Sequence, residues 1–463
     1  MSGASADRRR GHRSQASEAD AGSDNVLCYA DQGSFVGLRA LGRGPVLHFT
    51  WIYSHPLDEA KVDQFNVSLA QSLLGRVLRR SPLPWGRHRW VASPVPVPVK
   101  WFRDPIPLES LPEWRSSLVE LPIDPEYGPG WRLAVQVLDD GSCALSILVS
   151  HTIADGQAAI QAMVDAVAGR PLDPGFPAPS WRWSPVLLAR DAVESARALP
   201  EVVRALATLL RRPRTKGADA IPHSTSRLLN GQHDAPEPTV DVPLVHVVLD
   251  EAACEARAAD LGVASNTLLA AFATRLAFRL GRVDASGRVK LVLPVSDRQP
   301  GDRRGNALRA ITVMADPDAY RTNLRPFQRE LRTALTSLLR WGDDLTPLAP
   351  LLPYVPLWLA RHLERLVLGA DLPVGCSLVG EMPAELSRPC GEASMLQISG
   401  LERYTASVLE QLGGRLYLVG YRIRGRILVS VSGYAPDHVT TRTALASSVG
   451  DALADLLLDG TVS

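Results

Sequence analysis

Apolar positions recur with two different periods along this chain, and each change of period marks an element. Alternating or continuous apolar runs at 46–53, 131–138, 143–149, 244–249, 288–296, 310–314, 415–421 and 426–432 predict strands. Asp139-Asp-Gly-Ser separates two of these runs and predicts a hairpin turn. Spacings of three and four predict one helix over 57–79, where Val62, Phe65, Leu69 and Leu73 share a face. Further helices are predicted at 158–168, 185–212, 251–261, 265–280, 324–341 and 436–458. The apolar stripe of 185–212 is read as core-facing. Strand and helix mix in both halves, so the fold class is α/β (mixed α+β) in two lobes. The boundaries are a disordered tail at 1–24, a first lobe at 25–185, a helix and crossover linker at 186–243, and a second lobe at 244–463.

One stretch concentrates the chemistry. The uncharged run from Ala144 to Val149 ends in Ser150 and His151, then Asp155 and Gly156 open a helical pattern. A strand that delivers an imidazole to a turn, with a carboxylate four residues on, can build a general base. Imidazole titrates near pH ~6.5, which suits proton transfer at neutral pH. Glycine after Asp155 permits close approach of a substrate to the backbone. Ser150 is badly placed as a nucleophile, because neighbours in a strand point to opposite faces. Zinc would need at least one more ligand than His151 and Asp155, and no further cluster has suitable spacing, so no metal is expected.

Charge and composition narrow the classes. The formal net charge of +1 gives no electrostatic reason to expect nucleic acid. Five scattered cysteines without CxxC spacing suggest neither a disulfide framework nor a zinc site, and favour a cytoplasmic protein. Residues 1–24 carry Arg8-Arg-Arg with no apolar core behind it, unlike a signal peptide. The longest apolar run, 345–360, holds Pro347, Pro350, Pro353 and Pro356, too many for one spanning helix.

His151-Thr-Ile-Ala-Asp-Gly resembles the active-site motif of the CoA-dependent acyltransferase superfamily. That superfamily includes chloramphenicol acetyltransferases, condensation domains and the wax ester synthase/diacylglycerol acyltransferases. The chain looks most like the last group, because further segments follow in that order. They are Pro82-Leu-Pro-Trp, Ser226-Arg-Leu-Leu-Asn-Gly, Gly262-Val-Ala-Ser-Asn, Leu293-Pro-Val-Ser-Asp-Arg with Gly305-Asn306, and Val374-Gly-Cys-Ser. Three positions depart from the pattern: Ser150 replaces a first histidine, Thr267 replaces an aspartate, and Leu378 replaces an asparagine.

The resemblance implies two chloramphenicol-acetyltransferase-like lobes with an active-site channel between them. It implies direct transfer of a fatty acyl group from acyl-CoA, as co-substrate, to a hydroxyl-bearing acceptor, with His151 as general base and no other cofactor. Asp155 would turn away from substrate and pair with Arg298. The Gly156 amide, the Ser377 hydroxyl and the Asn306 amide would face the oxyanion. It extends to a monomer or weak dimer that touches a membrane or lipid-droplet surface from the cytoplasm. Two other readings compete: a condensation-type or polyketide-tailoring acyltransferase fed by a carrier protein, and a catalytically silent binding protein of the same fold.

Overall fold

The computed structural model describes residues 25–178, 185–211, 237–318, 323–341, 346–361, 372–436 and 438–463. The tail expected at 1–24, the stretch 212–236 of the crossover and the motif at 226–231 lie outside the described residues. Along the first half run α1 (Tyr29–Leu41), β1 (Val46–Tyr53), α2 (Glu59–Ala70), β2 (Arg76–Arg79), β3 (Arg89–Ala92), β4 (Lys100–Ile106), α3 (Leu111–Ser117), β5 (Trp131–Leu138), β6 (Cys143–Ser150), α4 (Gly156–Val167) and α5 (Pro185–Arg211). The second half holds β7 (Thr239–Val240), β8 (Leu244–Asp250), α6 (Glu251–Asp260), α7 (Ser265–Arg279), β9 (Val289–Ser296), β10 (Leu308–Ala315), α8 (Arg325–Trp341) and β11 (Val374–Glu381). It closes with β12 (Met395–Leu401), β13 (Tyr404–Thr405), α9 (Ala406–Gln411), β14 (Arg415–Ile423), β15 (Arg426–Tyr434), α10 (Arg442–Asp455) and β16 (Gly460–Val462).

Two sheets organise the molecule, so it is a mixed α/β protein of two sheet-containing lobes. The first has the order β12-β1-β6-β5-β4 and the second β10-β9-β11-β14-β15-β8-β16. The β5–β6 hairpin turns where Asp139-Asp-Gly-Ser predicts it. Every residue of β6 is buried, which is why its sequence is continuous and uncharged instead of alternating. Trp51, Phe65, Leu133, Leu145, Ile147 and Met163 share the first core, and α7 lies at the centre of the second.

Three expectations need correction. The helix predicted at 57–79 stops at Ala70, and β2 begins at Arg76. A Cβ on Gly75 would lie 1.8 Å from the Ala70 carbonyl oxygen, so the chain makes a turn there that only glycine fits. The helix predicted at 436–458 runs from Arg442 to Asp455, because the Thr441 hydroxyl caps it by accepting the Ala444 N–H. The stripe of α5 is not core: only Asp191 and Ala205 of that helix are buried.

The division at 244 is also crossed. β12, drawn within the second lobe, pairs antiparallel with β1 and forms the edge of the first sheet, Leu401 opposite Val46. The Tyr421 hydroxyl of β14 donates to the Leu396 carbonyl of β12 at 2.8 Å, tying that strand back to the second sheet. A buried polar seam adds to the joint. Arg115 on α3 donates to Thr50 of β1 (3.2 Å) and Gln397 of β12 (2.7 Å), and also meets His246 of β8. His246 in turn reaches the Ser430 hydroxyl of β15 at 2.9 Å.

No single helix among the described residues is long and apolar enough to cross a membrane. The 345–360 run begins, where described, as a 3-10 helix over Thr346–Tyr354.

Candidate active site

β6 ends at Ser150, and the next five residues turn the chain into α4. The turn is held on the first lobe by the His151 N–H donating to the Pro45 carbonyl (3.0 Å) and the Ile153 N–H donating to the Ser150 carbonyl (3.0 Å). Asp155 is the N-cap of α4, accepting the Ala158 N–H at 2.8 Å. Facing this turn is the β9–β10 loop of the second lobe, which carries Arg298 and Asn306.

The loop and turn lock together through Asp155. Its second carboxylate oxygen accepts Arg298 Nη2 at 2.9 Å and the Ala307 N–H at 2.8 Å, and its own N–H donates to the Gly305 carbonyl at 2.8 Å. The Asp155 side chain is fully buried and that of Arg298 is 11% exposed. The carboxylate is therefore consumed by cap, guanidinium and amide, with nothing left for His151. Arg298 also donates to the carbonyls of Arg304 (3.1 Å) and Gly305 (3.0 Å), so it shapes its own loop while holding the partner.

His151 is oriented by Asn306. Its Nδ1 lies 2.9 Å from Asn306 Oδ1, an oxygen that can only accept. The orientation of the Asn306 amide follows from what surrounds it. Its Nδ2 donates to the His151 carbonyl (2.9 Å) and to Asp31 Oδ1 (3.1 Å), two groups that cannot donate back. Oδ1 therefore faces the ring and Nδ1 carries a proton, so in the neutral ring the lone pair is on Nε2. That is the form in which an imidazole can accept a proton.

Asp31 lies at the start of α1 and is fully buried. It accepts the Gly305 N–H (2.9 Å) and the Asn306 N–H (2.6 Å) as well as Asn306 Nδ2. A Cβ on Gly305 would lie 2.8 Å from Asp31 Oδ1 and 3.1 Å from the Thr152 and Ile153 carbonyl oxygens, so the loop reaches the turn only because residue 305 is glycine. Arg76 completes the clamp: Nη1 donates to the Arg303 carbonyl at 2.6 Å, Nη2 to the Ile153 carbonyl, and the guanidinium lies 4.1 Å from the Trp90 ring centroid. Burial pulls the Arg76 pKa down to about 10, with Asp31 opposing, so it still carries its charge at neutral pH.

Of the six residues singled out in the sequence, the structure brings five to one place. His151, Asp155, Gly156, Arg298 and Asn306 meet where turn and loop touch. The Asn306 amide is not free to face an oxyanion, contrary to expectation, because Asp31 takes it. Gly156 is the first residue of α4, a position whose N–H has no partner within its helix. An added Cβ there would meet nothing within 4 Å, so the space beside it is open. Ser377 lies on β11, its hydroxyl toward Tyr417, and no hydrogen bond joins it to His151 or Asn306 among the described residues. Asp31 and Arg76 were not singled out. Nothing in the sequence marks either of them: Asp31 stands in the polar stretch Tyr29-Ala-Asp-Gln-Gly-Ser, and its burial shows only in the fold.

No protein-family model matches the chain, nor does any curated protein. Solved structures do match it along nearly its whole length. Polyketide synthase associated protein 5 from Mycobacterium tuberculosis superposes with a TM-score of 0.53 at 14% identity, over 93% of this chain and 97% of that one. The first condensation domain of the calcium-dependent antibiotic synthetase, in complex with a substrate analogue, gives 0.54 at 15% identity over 93% and 96%. This chain has the condensation-domain fold. The nonribosomal peptide synthetase FmoA3, bound to α-methyl-L-serine-AMP, gives 0.51 at 18% identity, and there the chain spans only 44% of the other protein. At such identities the likeness is one of fold. Within this condensation-type fold, the turn after β6 and the β9–β10 loop are where the two lobes touch around His151.

Proposed function

We propose that this protein moves an acyl group from a thioester to a hydroxyl-bearing acceptor in one step, with His151 as the general base. The observation that carries the reading is the Asp31–Asn306–His151 relay, which selects the tautomer whose lone pair is on Nε2, at the junction of the lobes. In the proposed step Nε2 takes the acceptor's proton as its oxygen attacks the thioester carbonyl carbon. The tetrahedral oxyanion then collapses, the C–S bond breaks, and the leaving thiolate takes the proton from the imidazolium. The ring would carry positive charge in between, and the Nδ1–H bond to Asn306 becomes charge-assisted at that moment. The Gly156 N–H, at the positive end of α4, suits the oxyanion. Arg298 offsets the Asp155 charge that would otherwise weaken that end. Ser377 remains a second candidate donor.

The finer form of the proposal is an acyl-CoA-dependent O-acyltransferase of the wax ester or triacylglycerol type. A second reading takes the acyl chain from a carrier protein, and it draws support from the condensation domains among the fold neighbours. Release of free thiol by the purified chain separates the two, with an acyl-CoA chain-length series in one arm, acylated carrier protein in the other, and mixed alcohols as acceptors. The expected result is acceptor-dependent release that falls about 10²–10⁴-fold in His151→Ala. Undiminished release in that variant would dispose of the mechanism, and no release from any donor would assign the fold a silent binding role.

A further inference from the structure

We propose that the pocket between α3 and β4 binds a small aromatic amine in its protonated form. The pocket holds about 330 Å³ and is lined by Phe102, Asp104, Ile106, Ser110, Trp114 and Gln136. That is near the lower end of the roughly 300–1,000 Å³ range of ligand pockets, so the occupant has one or two rings. Phe102 and Gln136 are register partners across β4 and β5, which puts their side chains on one face of the sheet. Ala134 and Leu138, two residues to either side of Gln136, pack with Leu111 and Trp114, so this is the face that α3 covers. Gln136 stands opposite Ala144 of β6, at the far end of that strand from His151 and about 20 Å away along it. The pocket is therefore separate from the turn that carries His151.

The polar groups of the pocket choose the ligand. Gln136 is 2% exposed, yet only half of its amide is satisfied. Its Nε2 donates to the carbonyls of Asp104 (2.9 Å) and Val137 (2.8 Å), two groups that can only accept. These bonds fix the orientation of the amide and spend both of its hydrogens. Oε1 is left without a donor among the described residues. The Ser110 hydroxyl makes no capping bond to α3, and the exposed Asp104 carboxylate has no partner among the described residues. Three oxygen acceptors thus share a pocket whose lining includes no Lys or Arg. A primary ammonium carries three N–H donors, one for each. The remaining walls are apolar: Ile106 and the Phe102–Trp114 pair, which meet edge to face with centroids 5.9 Å apart. Phe102 already draws an ammonium, since Lys100 Nζ lies 5.5 Å from its ring centroid. An anion would meet the Asp104 charge, and a neutral alcohol would bring one donor to three acceptors. The proposal is independent of the acyl-transfer reading.

The test is a ligand-observed NMR titration of the full chain with 2-phenylethylamine, with 2-phenylethanol as its neutral counterpart and 3-phenylpropionate as its anionic one. The amine should bind most tightly, the alcohol less so and the carboxylate least. Asp104→Asn should weaken the amine about fivefold, the usual worth of an exposed ion pair, and leave the alcohol unchanged. Gln136→Met, which keeps the length of the side chain and removes the buried acceptor, should weaken the amine about tenfold. Because that variant also removes two internal hydrogen bonds, Phe102→Leu supplies a second probe of the pocket and should weaken amine and alcohol alike, roughly fivefold. Circular dichroism of the variants should match the parent. Absence of amine binding, equal binding of the three molecules, or undiminished amine affinity in Asp104→Asn and Phe102→Leu would overturn the proposal.

Discussion

Removing the Asp155 carboxylate tests the junction of the lobes without any assumption about substrate. In Asp155→Ala, α4 loses its N-cap, worth about 1 kcal/mol. The Ala307 N–H loses its acceptor, worth roughly 1–3 kcal/mol. Arg298, only 11% exposed, loses its counter-charge, and breaking a buried pair costs about 3–5 kcal/mol. These losses share one carboxylate and do not add, so the expected total is about 4–6 kcal/mol. Arg298→Ala should cost less, about 2–3 kcal/mol, because Asp155 keeps the Ala158 and Ala307 N–H donors. The decisive quantity is the double variant. Once Asp155 is gone Arg298 is a liability, so Asp155→Ala/Arg298→Ala should be no less stable than Asp155→Ala alone. Urea unfolding can be followed by fluorescence, which is weighted to the first lobe because only Trp341 and Trp358 of the ten tryptophans lie in the second half, and by circular dichroism, which reports both lobes. Coincident transitions license the free energies, and separated ones show lobes uncoupled by the variant. Costs that add within about 0.5 kcal/mol, or an Asp155→Ala cost below about 1 kcal/mol, would refute the latch.

Asn306→Ala should lower kcat roughly tenfold with KM little changed, because the Nδ1–H bond it removes gains strength only when the ring is charged; a KM effect with intact kcat would contradict the relay. Acid should weaken the fold early. Burial first, and then Arg80, pulls His88 down to about 4, and the neutral ring accepts the Ser81 N–H at 3.3 Å. An unfolded histidine titrates near 6.5, so this stability is full above that pH and drains as pH falls toward about 4. At pH ~5 about 2 kcal/mol should be gone. His48 and His246 are shifted downward by burial and Arg115, and so act in the same direction. A urea midpoint that does not fall between pH ~7.5 and ~5, or falls equally in His88→Gln, would contradict this.

What could be read from the sequence follows from how local each feature is. The hairpin, the buried strand β6 and the start of α4 are written in consecutive residues, and so is the delivery of His151 to a turn. The Asp155–Arg298 pair was expected from a family resemblance and not from the residues themselves, since their separation along the chain carries no period. Asp31 and Arg76 were missed for a related reason: each acts by reaching backbone of segments far away in sequence, and a backbone partner leaves no mark on composition. The misreading of α5 has another cause. An amphipathic period shows that one face differs from the other, but not which of them meets the protein. The acids Asp191, Glu194 and Glu201 decide that, and their partners Arg89, Arg87 and Tyr29 belong to other parts of the chain.

The placement of β12 has a consequence for how the molecule comes into being. During synthesis, β1 can pair with β6 as soon as the first hairpin has emerged, but its other edge waits for residues near the end of the chain. At ordinary elongation rates that wait lasts tens of seconds. Through it an aromatic-rich strand, with Phe49, Trp51 and Tyr53, offers an open ladder to any passing strand. The nascent first lobe is thus at its most vulnerable to mispairing while the second is still being made, and a holding chaperone would have its use in that interval.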